Sequence, residues 1–169
     1  MVFESIVLIL AGILTALVAG LFFGYSVSVN GGLHRLNDSE YVKAMQSINV
    51  AIQNPIFFVS FIGPLLLLPL ATFLQRDANS MQFALLLASS VLYIAGSFGL
   101  TMVGNVPLNQ RLAKCDVTNA SGNEIAQTRA GFEKPWNQLH TIRTLASIAA
   151  TVLIFVACSV DNKNDNVMG

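Results

Sequence analysis

His140 and Arg143 stand three positions apart at the head of an apolar run, with Trp136 one turn before them and Thr144, Ser147 and Thr151 following. On a helix these six side chains fall within an arc of about 100°. An imidazole titrates near neutral pH and suits a general base. A guanidinium can stabilise a developing oxyanion. Trp136 offers a flat face for an aromatic ring. A second stripe, Ser90, Ser97, Thr101 and Asn105, spans about 80° of another helix, and two such stripes are expected to face each other. Gln46, Asn49, Asn105 and Asn109 supply carboxamides that can orient the oxygens of a ligand. For the hydroxyl residues the plainer expectation is a bond to the carbonyl four residues back. Amide and ionisable groups at membrane depth are costly and by default point inward to a functional site, although an arginine near the interface can also snorkel to water.

Other chemistry finds little support. The chain has two histidines, His34 and His140, and no His or Cys pair has metal-ligand spacing. Neither GxGxxG nor a P-loop is present. Cys115 lies in a polar loop and Cys158 in an apolar run, so free thiols are expected rather than a disulfide. Nine basic and nine acidic residues give a formal net charge of +0, which leaves no nucleic-acid footprint.

The elements that must position these groups are membrane helices. Of 169 residues, 54% are hydrophobic and only 11% charged, against about 25% charged in an average soluble domain. Mean hydropathy is +0.63. A span needs about 20 predominantly apolar residues. Four stretches qualify: Ser5 to Leu33, Pro55 to Leu74, Met81 to Gly104, and Thr144 to Val160, the last extended upstream toward Pro135. The first has only Glu4 before it, lacks a basic flank and is too long for a signal-peptide core, so it is read as a helix. The expected fold is all-α: one membrane domain over 1–169, a four-helix bundle with spans at about 5–29, 55–74, 81–104 and 141–160, and a disordered tail at 161–169.

Local chemistry marks boundaries. Asn30-Gly31-Gly32 is expected to stop the first helix. Asn54 should cap the second, which Pro64 and Pro69 should kink. Arg76, Asp77 and Asn79 form a short connection, Pro107 marks the end of the third helix, and Pro135 suits the start of the fourth. Asn37 with Glu40 forms a capping-box start for a short interfacial helix over 37–53. That helix has an apolar face (Val42, Met45, Ile48, Ile52) beside a carboxamide face (Gln46, Asn49, Gln53). Either it lies on lipid with its amides in water, or the amides point into a cavity mouth. Asn119 to Asn123 reads as a turn and Glu124 to Glu133 as a short helix. Gly12, Ala16, Gly20 and Gly24 form a small-residue face that permits close helix packing or a homo-oligomer.

Both long loops fall on one side with Arg35, Lys43, Arg111, Lys114, Arg129, Lys134 and Arg143, whereas the other side carries Arg76 and Lys163. The bias places the long loops in the cytoplasm, with a plasma or inner membrane as the location.

The ordered set Phe22-Phe23-Gly24-Tyr25-Ser26, Ala44-Met45-Gln46-Ser47-Ile48-Asn49, Asn54-Pro55, Asn105-Val106-Pro107-Leu108-Asn109, Trp136 and His140-Thr141-Ile142-Arg143-Thr144 resembles the anthrone-oxygenase-like family of small four-helix membrane proteins. The resemblance runs from about Gly20 to Thr151 and departs at Asn30-Gly31-Gly32, where a proline is common. Most bacterial members carry a domain of unknown function. Similar fungal enzymes oxidise a polycyclic anthrone to an anthraquinone with no obvious cofactor. The resemblance thus implies a cofactor-free oxygenase of a lipophilic aromatic or quinol-like substrate, with His140 as base, Arg143 at the oxyanion, and Gln46, Asn49, Asn105, Asn109 and Trp136 around the substrate. The alternative is a non-enzymatic binding, accessory or transport protein whose polar cluster is structural, Arg143 bonding carbonyls of the Ile52–Asn54 turn and His140 satisfying Asn109 or a backbone group. Haem or quinone binding without catalysis is a third reading.

Overall fold

The computed structural model describes residues 2–77 and 80–165, with 161–165 described by backbone alone. The expected disordered tail at 161–169 is corrected over 161–165, which continue the last helix, while 166–169 and Asn79 of the expected connection lie outside the described residues.

Among the described residues the chain is a bundle of helices. α1 (Val2–His34), α3 (Pro55–Leu74), α4 (Ser80–Ala113) and the first 39 residues of α5 are each long and apolar enough to cross a membrane. α5 continues over Gly122–Asp165, and the short α2 covers Asp38–Ala51. Around the bundle α1 packs on α3, α3 on α4, α4 on α5 and α5 on α1, while α2 caps the loop end against α4 and α5. Large side chains such as Ile9, Leu17, Val59, Leu66, Val103, Leu145 and Phe155 point outward. A water-facing surface rarely tolerates so continuous an apolar belt, whereas hydrocarbon favours it. The fold class is therefore all-α, a four-span membrane bundle.

Two boundaries follow from capping. Asn37 accepts from the Glu40 N–H while the Glu40 carboxylate accepts from the Asn37 N–H, at 2.9 and 3.3 Å. Asn54 accepts from the Phe57 N–H at 3.0 Å and opens α3 at Pro55.

Three expected boundaries are corrected. α1 does not stop at Asn30-Gly31-Gly32 but runs to His34, and no described glycine has positive φ. α4 passes through Pro107 to Ala113, and α5 passes through Pro135, absorbing the separate helix expected at Glu124–Glu133. Glycine and proline lower helix propensity in water, but close to hydrocarbon a helix satisfies its own backbone groups and the same residues are tolerated.

α4 manages its proline by widening. Tyr25–Val29 in α1, and Leu92–Gly99 and Thr101–Asn105 in α4, are π-helical, with bonds from Asn30 N–H to Tyr25 O, Leu100 N–H to Ala95 O and Val106 N–H to Thr101 O. The α-helix resumes at Val106, so Pro107 sits in a first turn, where a missing N–H costs little. Gly99 permits the widening, because a Cβ there would lie 3.0 Å from the Ile94 carbonyl oxygen.

Glycines also set helix distances. A Cβ on Gly96 would meet Ala146 Cβ at 2.7 Å, and one on Gly104 would meet Leu139 at 2.7 Å, so α4 and α5 are in tight contact. Of the small-residue face on α1, Gly12 packs toward Ile154 within the chain, whereas Gly20 and Gly24 have nothing within 4 Å. Gly96→Ala should therefore destabilise the bundle by about 1–3 kcal/mol, because Ala146 has no flexible end to yield. Gly20→Ala should be neutral or stabilising by up to about 1 kcal/mol. Thermal unfolding of both variants in detergent checks the contrast.

Candidate functional site

The site forms where the π turns of α1 and α4 meet the middle of α5. His140 is 1% and Arg143 is 7% exposed. Both arise from one face of α5, and their backbone carbonyls are occupied by the hydroxyls of Thr144 and Ser147 at 2.6 and 2.8 Å. Thr101 bonds to the Ser97 carbonyl and Thr151 to the Ser147 carbonyl in the same way. These hydroxyls are thus bonded one turn back on their own helices, as expected. Ser147 Oγ also lies 2.8 Å from Ser97 Oγ, in hydrogen-bond contact, joining the two polar stripes across the α4–α5 contact.

His140 has a determined tautomer. Its Nε2 lies 3.1 Å from the Phe22 carbonyl oxygen, which can only accept, so Nε2 carries the proton. Nδ1 is then the basic lone pair. It accepts from Arg143 Nε at 3.1 Å and faces Nη2 at 3.0 Å. Nη1 of Arg143 donates to Thr101 Oγ1 at 3.1 Å. The guanidinium carbon lies 4.3 Å from the centroid of the Phe22 ring and 5.1 Å from that of Trp136. The hydrogen-bond acceptors described around this buried cation are all neutral, and the described ion pairs lie elsewhere.

The structure brings most expected site residues into one region but gives several of them specific tasks. Trp136 is not a free stacking platform: His140 covers one side at 4.9 Å and 13°, Phe132 stacks at 6.0 Å and 28°, and Nε1–H donates to Asn109 Oδ1 at 2.8 Å. Asn109 therefore holds the indole, not His140. Gln46 donates to the carbonyls of Leu112 and Cys115, both at 2.9 Å, and so fastens α2 to the end of α4. Asn105, fully buried, donates to the Trp136 carbonyl at 3.3 Å, while its Oδ1 has no hydrogen-bond partner. Nδ2 of Asn49 is likewise buried without one. The Ile52–Asn54 turn does not engage Arg143; Asn54 itself donates to the Ala51 and Ile52 carbonyls.

Two contributors were not assigned from sequence. Phe22 supplies both a ring to Arg143 and a carbonyl to His140, and Tyr25 packs on the rings of Trp136 and His140 at 5.4 and 5.3 Å. Tyr25 also donates to Met45 Sδ at 2.9 Å, so α2 reaches the site through it.

The cap is a second apolar cluster. Tyr41, Val42 and Met45 of α2 are buried with Leu112, Ile125, Phe132 and Trp136. The apolar face of α2 thus rests on protein, not on lipid. Arg129 secures the cap with bonds to Asp38, Glu133 and the carbonyls of Leu36 and His34, and lies over the Tyr41 ring. Burial, aided by the Glu133 carboxylate, pushes the Tyr41 phenol above its ordinary range and keeps it neutral. His34 pairs with Glu133 at 2.7 Å on the surface, away from His140. Neither Cys115 nor Cys158 is in a disulfide, as expected. Among the described residues no three His, Cys, Asp or Glu side chains gather as a metal-ligand set.

The bundle and its internal imidazole–guanidinium pair define the class as a four-span membrane protein with a buried polar site. The family model described as anthrone oxygenase matches residues 57–153, more than half of the chain, so the chain belongs to that family. The match takes in Asn105, Asn109, Trp136, His140 and Arg143 but not Phe22, Gln46 or Asn49. No curated protein and no solved structure matches the chain.

Gln46→Ala should leave the Leu112 and Cys115 carbonyls short of a donor and cost about 1–3 kcal/mol. Hydrogen exchange at α2 should rise in the variant while the spans stay protected.

Proposed function

We propose that this protein is a membrane oxygenase that converts an activated methylene or phenol of a lipophilic aromatic substrate without a resident cofactor. The observation that carries the reading is Arg143: a buried cation bonded only to neutral acceptors, with aromatic rings on it. An uncompensated charge costs several kcal/mol in such a setting. A ligand that brings an oxyanion relieves that cost, and it does so most when its negative charge is fully developed.

The chemistry balances without an added reductant. His140 Nδ1 takes one proton from a ring-flanked CH2 group. Arg143 holds the oxygen onto which the resulting negative charge is delocalised. The carbanion adds dioxygen, the peroxide anion takes up a proton, and loss of water leaves a carbonyl, so CH2 and O2 become C=O and H2O. In the resting protein Nδ1 is covered by Arg143, so the substrate oxygen has two effects: it draws the guanidinium toward itself and it uncovers the base. Of the carboxamides assigned to the substrate, Asn105 and Asn49 keep an unpartnered atom, Oδ1 and Nδ2, to meet its polar groups. Trp136, Asn109 and Gln46 position the others. The long loops are placed in the cytoplasm of a plasma or inner membrane: with Arg143 inside the bundle, Arg35, Lys43, Arg111, Lys114, Arg129 and Lys134 still outweigh Arg76 and Lys163. Any self-association would use Gly20 and Gly24, since Gly12 is taken up by Ile154.

A second reading has its own support. His140 and Arg143 bond to each other, and most nearby amides are spent on the protein, which is what a purely structural or ligand-carrying cluster requires.

Anthrone supplied to vesicles containing the protein separates the two. The oxygenase reading expects anthraquinone to appear with one equivalent of dioxygen consumed. His140→Ala should lower the rate by about 10²- to 10⁴-fold and Arg143→Met by about 10²- to 10³-fold, both with unchanged helix content. Full activity in His140→Ala would remove the base assignment. Retention of anthrone without oxidation would select the carrier.

A further inference from the structure

We infer that the ligand reaches Arg143 sideways from the bilayer, through the seam between the start of α3 and the Thr101 end of α4, past the rings of Phe57, Phe61 and Phe98. The inference rests on the reading that the site takes a ligand.

Each other approach is closed by a named contact. From water, the cap buries Tyr41, Val42 and Met45 against Trp136 and Phe132, and Gln46 and Arg129 fasten it. Between α4 and α5, Gly96 meets Ala146 and Gly104 meets Leu139 with no room for even a Cβ. Between α1 and α3, Gly63 meets Leu14 as tightly. Between α1 and α5, Gly12 abuts Ile154, and Phe22 reaches the His140 ring and its Nε2.

The remaining seam is different. Tyr93 Oη donates to the Phe61 carbonyl at 2.8 Å and ties α3 to α4 there. α3 packs on α4 along Ser80–Gly99 but makes at most marginal contact with Thr101–Asn105. Aromatic rings line this part of the seam. Phe57 stacks on Phe61 at 5.2 Å and 13°, Phe61 stacks on Phe98 at 5.2 Å and 29°, and Phe22 lies 6.5 Å from Phe61 with Arg143 on its face. Phe57 and Phe98 are half-buried and neighbouring Phe58 is 43% exposed, so the column starts at the lipid surface. It ends at Phe22, under the guanidinium whose Nη1 is held by Thr101. These phenyl rings have no hydrogen bond to break. A planar aromatic ligand can replace one ring stack with another as it advances, whereas a strongly hydrated ligand cannot.

Trp136 is the single tryptophan and lies 5.1 Å from the guanidinium carbon, so its emission reports arrival. The protein in phosphatidylcholine vesicles is mixed by stopped flow with anthraquinone-2-carboxylate, a planar membrane-partitioning anion, or with the water-confined anthraquinone-2,6-disulfonate. Quenching is expected from the first and not from the second. Phe57→Ala and Phe98→Ala should raise the rates of onset and release together by roughly tenfold while altering the Kd little. Arg129→Gln, which loosens the cap, should leave both rates unchanged. Phe98→Leu serves where the alanine variant loses helix content, with the same direction expected. Faster onset in Arg129→Gln with unaltered rates in the phenylalanine variants, or quenching by the disulfonate, would overturn the lateral route while leaving the ligand site standing. No quenching by the carboxylate in the unaltered protein would overturn the site itself.

Discussion

A guanidinium at membrane depth must be solvated by protein, and the site is built around that requirement. Arg143 cannot snorkel, because its side chain turns into the bundle and its Nη1 reaches α4. With no carboxylate beside it, its partners are an imidazole lone pair, a hydroxyl and two ring faces. The imidazole can offer that lone pair only if its other nitrogen carries the proton, and the Phe22 carbonyl fixes that state. The hydroxyl comes from the π turn of α4, and the ring and carbonyl of Phe22 come from the turn just before the π segment of α1. A π turn adds a residue per turn and changes the direction of the side chains that follow, and such turns recur at functional sites. Here they flank the cation on both neighbouring helices.

The fold was largely legible in sequence, and the reason is physical. Crossing hydrocarbon requires length and apolar content, both visible residue by residue, and each of the four long apolar helices contains one of the stretches those two quantities mark. Asn37 with Glu40 and Asn54 before Pro55 were legible because capping is local. The failures share one cause. Asn30-Gly31-Gly32, Pro107 and Pro135 are stop or start signals in water, where a broken helix can hydrogen-bond to solvent. In and near a bilayer the broken end has no such partner. The helix continues, and a π turn before Pro107 or a single missing bond at Pro135 is the cheaper outcome.

The candidate site was legible as a set but not as a division of labour. The helical arc that joined Trp136, His140, Arg143 and Ser147 is the face that turns inward, and the facing stripe on α4 supplies Ser97, Thr101 and Asn105 as expected. What one side chain does with its second hydrogen bond depends on helices distant in sequence. Gln46 finds carbonyls at the end of α4, and Trp136 finds Asn109, through contacts that no spacing rule encodes. Phe22 was invisible as a site residue because half of its contribution is a backbone oxygen.

Whether the His140–Arg143 bond is a strut or a resting lock can be argued from energetics. A strut at this depth would gain more from a carboxylate partner, and replacing such polar sets by apolar side chains is often neutral or stabilising. The cluster instead keeps a full positive charge against neutral groups, and Asn105, bonded to the Trp136 carbonyl, leaves its Oδ1 without a partner. Each is an avoidable cost for a scaffold. Each is also a feature that pre-arranged donors and acceptors require if the compensating charge is to arrive with a substrate and grow during its reaction.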